Sequence, residues 1–127
     1  MPLLLQVALG GAIGASLRYL VTSNMTRSLG LGFPYGTMTV NIVGSLIMGA
    51  LATYVALRGT GSWQHAAPFL MTGILGGFTT FSAFSLETIQ LIERGEMRLA
   101  GFYVVGSLIL SIGALFVGLL GMRAVLS

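Results

Sequence analysis

The residues of this chain that could do chemistry are polar side chains set inside long apolar segments. Two sets, each spaced by four residues, lie in separate segments: Thr37, Asn41 and Ser45, then Tyr103, Ser107 and Ser111. Residues four apart share one face of a helix, so each set predicts a polar stripe. Hydroxyls can bond their own helix backbone, whereas the amide of Asn41 offers two donors and an acceptor that a helix leaves unsatisfied. Each stripe alone is explained by helix contacts, but two of equal length suggest a common polar track.

A third apolar segment contains paired glycines and paired threonines near its middle. Gly76 and Gly77 weaken a helix, and the hydroxyls of Thr79 and Thr80 can cap a new one. We therefore predict a third helix that is broken near its middle into two half-helices. Because unpaired backbone groups are costly in hydrocarbon, the break needs a partner from protein, water or an ion.

Aromatic and polar residues follow directly after this break: Phe81, Ser82, Phe84, Ser85 and Glu87. The edge of a phenylalanine ring carries partial positive charge and can meet a small anion, although such rings are also ordinary core or lipid-facing residues. Glu87 fits three roles: a buried polar anchor, a proton carrier or a residue that reaches the interface. Arg18, near the end of the first segment, either reaches the interface or faces a water-filled vestibule.

The composition is that of a membrane protein. Of the 127 residues, 55% are hydrophobic and 7% are charged, which lies outside the range of soluble domains. The chain has no cysteine for a disulfide or thiolate site, and its six arginines form no basic run for nucleic acid. It also lacks a nucleophile–base pair, a metal-ligand cluster and a phosphate loop, so we do not expect an enzyme. The first apolar segment has neither a basic start nor an obvious cleavage site, and we expect it to be retained as a span.

A membrane-spanning helix needs about 20 mostly apolar residues. Four segments meet or approach that length: roughly 3–23, 36–57, 66–93 and 99–123. Short connections join them, the first from Asn24 to Tyr35 with Pro34, and the second from Arg58 to His65. The prediction is an all-α membrane protein with one four-helix domain over residues 1–127. The small-residue spacing of Gly10 with Gly14, and of Gly11 with Ala15, predicts close helix packing in the first span.

The balance of arginines permits either orientation in the membrane. One side has Arg58, Arg123 and the amino terminus, and the other has Arg27, Arg94 and Arg98, with Arg18 as a further candidate, so the count is three against three or four. Four short helices cannot enclose a water path alone, and the break needs a neighbour. We therefore predict a homodimer. In an antiparallel pair the two breaks would meet on a two-fold axis, where their carbonyls could surround a cation.

Three motifs carry a resemblance to a known family: Gly-Gly-x-x-Gly-Ala-x-x-Arg-Tyr at 10–19, Gly-Thr-x-x-Val-Asn-x-x-Gly at 36–44, and Gly-Gly-x-Thr-Thr-Phe-Ser-x-Phe-Ser at 76–85. In this order, and over essentially the whole length, the chain resembles the Fluc/CrcB family of fluoride ion channels. The resemblance implies a passive channel in the bacterial inner (plasma) membrane that exports fluoride and so lowers its toxicity. It also implies an antiparallel, dual-topology homodimer with two pores.

The resemblance further implies roles for individual residues. Backbone carbonyls of Gly76 and Thr79 from both subunits would bind a structural sodium ion at the dimer centre, and Arg18 would lie toward a vestibule. The fluoride path would be lined by aromatic and polar side chains: Asn41, Phe81, Phe84, Ser82, Tyr103, Ser107, Ser111 and Thr37. One departure is Ala83, where many relatives have threonine, so the track lacks a hydroxyl there.

Two other functions fit the pattern from the residues alone. A small proton-coupled multidrug-type exporter needs a carboxylate within the membrane, for which Glu87 is the candidate. A structural subunit of a larger membrane complex would use the polar stripes only as helix contacts. A path for fluoride must replace the water around a small, strongly hydrated ion with hydrogen-bond donors, which hydroxyls, the Asn41 amide and ring edges offer. Composition and spacing do not by themselves name the ion.

Overall fold

Four helical segments in the computed structural model are long and apolar enough to span a membrane: Leu3–Leu29, Tyr35–Arg58, Ser62–Glu93 and Met97–Leu126. The structure describes residues 1–127, and it contains helices and no strands. The prediction of an all-α, multi-pass membrane protein is therefore confirmed.

The first, second and fourth spans are each one helix, and the third is composite. We number the α-helices in chain order: α1 (Leu3–Leu29), α2 (Tyr35–Arg58), α3 (Ser62–Ala67), α4 (Gly76–Phe78), α5 (Phe81–Glu93) and α6 (Met97–Leu126). A π-helical segment, Pro68–Leu75, joins α3 to α4. The third span thus comprises α3, the π-helical segment, α4 and α5.

The helices extend beyond the apolar segments from which they were predicted. The first connection was predicted to begin at Asn24, which was wrong: residues 24–29 contain neither glycine nor proline, and α1 continues to Leu29. The residue after the helix is Gly30, whose φ of 85° is a conformation that favours glycine. His65 was placed in a connection but lies in α3, so the third span begins at Ser62.

Helices that are not neighbours in the chain pack together. The most extensive contacts are those of α2 with α6 and of α1 with the π-helical segment. A Cβ atom added at Gly49 of α2 would clash with the carbonyl of Leu115, and one added at Gly118 of α6 would clash with the carbonyl of Leu46. These two helices therefore meet backbone to backbone.

The small residues of α1 face the third span in the same way. A Cβ atom at Gly10 would lie 2.9 Å from Gly73 Cα, and one at Gly14 would lie 2.9 Å from Phe78 N. A Cβ atom at Gly77 would in turn lie 2.8 Å from the carbonyl oxygen of Gly11. The close packing predicted from the spacing of these glycines is thus found against the third span.

Candidate functional site

The third span is interrupted for two residues between α4 and α5. Thr79 (φ −89°, ψ 159°) and Thr80 (φ −155°, ψ 119°) are extended. The axis of the third helix nevertheless bends by only 13°. The interruption is therefore a local change of backbone conformation rather than a change of direction.

Only one of the two threonines caps the following helix. Thr80 Oγ1 accepts a hydrogen bond from the N–H of Ala83 at 3.1 Å, which makes Thr80 the N-cap of α5. The hydroxyl of Thr79 instead donates to the carbonyl of Leu75, one turn before it, at 3.1 Å. Ser82 is exposed, and its hydroxyl lies 3.3 Å from that of Thr80.

Asn41 of α2 binds the backbone of Thr80 through both ends of its amide. Its Oδ1 accepts from the Thr80 N–H at 2.8 Å, and its Nδ2 donates to the Thr80 carbonyl at 3.1 Å. In an uninterrupted α-helix the Thr80 N–H would donate to the carbonyl of Gly76. The Asn41 side chain therefore takes the place of a helix hydrogen bond.

Helix α1 also supplies a donor, to a carbonyl just before the interruption. The Nε of Arg18, on α1, donates to the carbonyl of Gly77 at 3.1 Å. Backbone polar groups that leave a helix inside a membrane need such partners. Here α1 and α2 provide them as side chains.

The carbonyls of Gly76 and Thr79 lack their usual helical donors. The N–H groups four residues further on, those of Thr80 and Ala83, donate to side-chain oxygens of Asn41 and Thr80. Gly76 is also exposed on the surface of the chain. Freed carbonyl oxygens are hard ligands of the kind that coordinate alkali cations, so the two positions fit a sodium ion chemically.

A cavity of about 210 Å³ lies beside the interruption, between α2, α5 and α6. Its walls contain five of the eight side chains predicted for the fluoride path: Asn41, Phe81, Phe84, Ser107 and Ser111. We call it the phenylalanine cavity. Ser107 is 5% exposed, and its hydroxyl oxygen is buried without any hydrogen-bond partner. A buried hydroxyl without a partner is uncommon, so Ser107 has a hydrogen-bonding capacity that the protein leaves unused.

One wall of the phenylalanine cavity is open in a single chain. The rings of Phe81 and Phe84 have centroids 5.5 Å apart. Phe84 is 8% exposed, whereas Phe81 is 73% exposed. In a membrane the Phe81 ring is therefore left to contact lipid or another chain.

Tyr103 and Thr37 lie elsewhere. Tyr103 is fully buried, and its hydroxyl donates to Glu87 Oε1 at 3.3 Å. Thr37 is buried and lines a second cavity, of about 470 Å³, together with Arg18 and Glu87. We call this the arginine cavity. Of the roles considered for Glu87, the hydrogen bond from Tyr103 favours that of a polar anchor.

Ala83 lines the arginine cavity and not the phenylalanine cavity. A threonine hydroxyl at position 83, which the resemblance led us to expect, would therefore belong to a wall that Ser107 and Ser111 do not share. The polar lining of the phenylalanine cavity does not depend on position 83.

The aromatic rings form a row that sequence reasoning did not predict. Neighbouring centroids along Phe81, Phe84, Tyr103, Phe33 and Tyr35 are 5.5, 5.1, 5.5 and 4.9 Å apart. The row leads from the interruption to the beginning of α2. Phe33 and Tyr35 flank Pro34 in a connection, and no helical spacing linked them to the other rings.

The chain is similar to a described protein family and to several named proteins over nearly its whole length. Residues 5–119 match the family model described as "CrcB-like protein, Camphor Resistance (CrcB)". A protein of Rhodopseudomonas palustris named fluoride-specific ion channel FluC is 53% identical over 121 residues, which cover 95% of this chain and 97% of the relative. A protein of the same name from Paracoccus denitrificans is 57% identical over 115 residues, covering 91% and 90%. One from Hyphomonas neptunium is 56% identical over 115 residues, covering 91% of each.

Proposed function

The chain belongs to the CrcB-like family, and from this premise we propose that it is a fluoride-selective passive ion channel. It exports fluoride from the cytoplasm across the bacterial inner membrane and so lowers fluoride toxicity. The names of the relatives support fluoride as the transported ion.

The observation that carries this proposal is the unpartnered hydroxyl of Ser107 in the phenylalanine cavity. A desolvated fluoride ion needs donors, and the Ser107 hydroxyl makes no hydrogen bond within the protein. Phe81 and Phe84 line the same cavity as Ser107, and the edges of such rings carry partial positive charge that suits a small anion. Chloride is larger and accepts weaker hydrogen bonds, so it gains less from the same set of donors.

The path continues past the phenylalanine cavity along polar side chains. Tyr103 and Glu87 form the next hydrogen-bonded pair, and Thr37 and Arg18 line the arginine cavity beyond them. In this proposal Arg18 attracts the anion from the water side, and the remaining predicted pore residues, Ser82 and Ser111, extend the polar lining. A passive channel requires no proton transfer by Glu87 or by any other residue on this path.

We further propose that two chains form an antiparallel, dual-topology homodimer with two pores. The exposed ring of Phe81 supports this arrangement, because a second chain would cover it and complete the wall of the cavity. The nearly equal arginine count at the two ends also allows both orientations. In this arrangement the two-residue interruption acts as the functional break of the third helix.

A structural sodium ion at the centre of the dimer belongs to the same proposal. The carbonyls of Gly76 and Thr79 from each copy would hold it, and they lack their helical donors as such a role requires. When bound, the ion would supply a positive charge that draws both interruptions to the two-fold axis.

The test is fluoride efflux from liposomes that contain the purified protein, followed with a fluoride electrode, with a chloride control and no imposed proton gradient. Rapid loss of fluoride with retention of chloride supports the proposal. Efflux that begins only when a proton gradient is applied would favour the exporter, and no efflux under either condition would favour a structural subunit.

A pair of serine variants tests the observation that carries the proposal. Ser107→Ala removes the unpartnered hydroxyl and should reduce fluoride efflux. Ser16→Ala is the matched control, because the Ser16 hydroxyl is exposed and donates to the carbonyl of Ala12 within its own helix. Equal efflux from the two variants would remove Ser107 from the path.

A further inference from the structure

Most hydrogen-bonding groups of the Asn41 side chain already bond the backbone of Thr80, so few are left to bind an ion. Its Oδ1 accepts from the Thr80 N–H at 2.8 Å, and one of its two Nδ2 hydrogens is donated to the Thr80 carbonyl at 3.1 Å. Only the second Nδ2 hydrogen remains for the phenylalanine cavity, whose wall Asn41 shares. Most of the hydrogen-bonding capacity of this side chain therefore acts on the interruption.

The hydrogen bond from the Thr80 N–H to Asn41 Oδ1 leaves the Gly76 carbonyl oxygen without its helical donor. In a continuous helix the Thr80 N–H would donate to Gly76 O, and a single residue returning to helical conformation would restore that bond. While Asn41 holds the Thr80 N–H, the Gly76 oxygen keeps its lone pairs for another partner. The same side chain thus lines the phenylalanine cavity and occupies the N–H that would otherwise bond the carbonyl of Gly76, an exposed residue.

We propose that Asn41 is a positioning residue for the sodium site: by holding the Thr80 N–H, it keeps the Gly76 carbonyl free to bind the cation. This rests on the proposed function, since it requires sodium at the carbonyls of Gly76 and Thr79. It assigns to Asn41 an effect on cation affinity that is separate from any effect on fluoride.

Two substitutions separate these effects. Asn41→Leu has a similar volume but neither donor nor acceptor, so the Thr80 N–H can return to Gly76 O and compete with the ion. Asn41→Asp keeps an oxygen that accepts from the Thr80 N–H. It loses both Nδ2 hydrogens, the one donated to the Thr80 carbonyl and the one left for the cavity. We therefore expect the leucine variant to lose sodium affinity, and the aspartate variant to keep it while losing fluoride flux.

The measurement is the thermal unfolding of the full-length purified protein in detergent, as sodium replaces N-methyl-D-glucamine at constant ionic strength. A ligand that binds only the folded protein raises the unfolding midpoint with its concentration, so the titration yields an apparent sodium affinity. We expect that affinity to fall roughly tenfold in Asn41→Leu, equivalent to about 1.4 kcal/mol. Ser107→Ala is the matched control, because Ser107 lines the same cavity but makes no hydrogen bond to Thr80, and this variant should bind sodium like the wild type.

The outcomes distinguish this inference from the channel itself. Sodium affinity in Asn41→Leu equal to that of the wild type would overturn it, and so would an equal loss in Asn41→Asp. If the leucine variant does not fold, Asn41→Ala removes the same acceptor and must show the same loss. A wild-type protein whose midpoint does not respond to sodium would overturn both the sodium site and this role, while fluoride efflux from liposomes would still decide the channel function.

Discussion

The substitution Gly14→Ala tests whether the contact between α1 and the third span supports the site. The added Cβ would clash with the carbonyl oxygen of Ile74, and it would lie 2.9 Å from both Ile74 C and Phe78 N. Ordinary carbon contacts are about 3.5–4.0 Å, and backbone atoms cannot move aside as a flexible side chain can, so α1 must shift by roughly 1 Å. Overpacking of this kind costs about 1–3 kcal/mol, against which alanine gains about 0.5–1 kcal/mol in a helix. We expect a net loss of about 1–2 kcal/mol in the free energy of unfolding.

The same shift should reach the interruption. Arg18 lies one turn after Gly14, on the same face of α1, and its hydrogen bond to the Gly77 carbonyl is already 3.1 Å long. A displacement of roughly 1 Å would bring that distance beyond hydrogen-bond range. Fluoride efflux should therefore fall together with stability.

The assay is equilibrium unfolding in detergent together with fluoride efflux, with Gly113→Ala as the matched control. A Cβ at Gly113 of α6 would meet no atom within 4 Å, so this variant should be neutral or slightly more stable. If Gly14→Ala and Gly113→Ala had the same stability and the same efflux, backbone contact between α1 and the third span would not be what supports the site.

Three further substitutions test individual side chains of the site. Phe81→Ile removes the ring edge but keeps apolar bulk, and it should lower fluoride efflux by about tenfold or more, equivalent to at least about 1.4 kcal/mol, in a folded protein; undiminished efflux would exclude a direct role for the ring. Thr80→Val removes the cap that accepts from the Ala83 N–H and should cost about 1 kcal/mol of stability, whereas Thr80→Ser keeps the oxygen and should melt like the wild type. Glu87→Gln retains an oxygen that can accept from Tyr103, so a passive channel should lose little efflux; complete loss, with steep pH dependence in the wild type, would identify a proton-coupled exporter instead.

The features predictable from the sequence were those that depend on periodicity and residue size. Ser107 and Ser111 share a cavity wall because residues four apart share a helix face. Gly10 and Gly14 contact another helix because their spacing allows close approach of backbones. Both patterns are local, so a single segment carries them in full.

The features that escaped prediction depend on which segments meet. The hydrogen bonds of Asn41 with Thr80 join positions 39 residues apart, and no sequence pattern in either segment indicates that the two come together. The hydrogen bond of Tyr103 with Glu87 is likewise set by the packing of α6 on α5. Tyr103 therefore does not line the phenylalanine cavity with Ser107 and Ser111, although the three share one helix face.

The alternating contacts of the four spans have a consequence for biosynthesis. Because α1 packs on the third span and α2 packs on α6, neither of the first two helices has its main partner when it leaves the ribosome. Each must wait in the lipid until a later segment has been inserted, and α2 waits for the last one. The backbone contacts between α2 and α6 at Gly49 and Gly118 can form only after α6 has been synthesised. We therefore expect the contacts of α1 with the third span to form first, and the native structure to be complete only after α6 has been inserted.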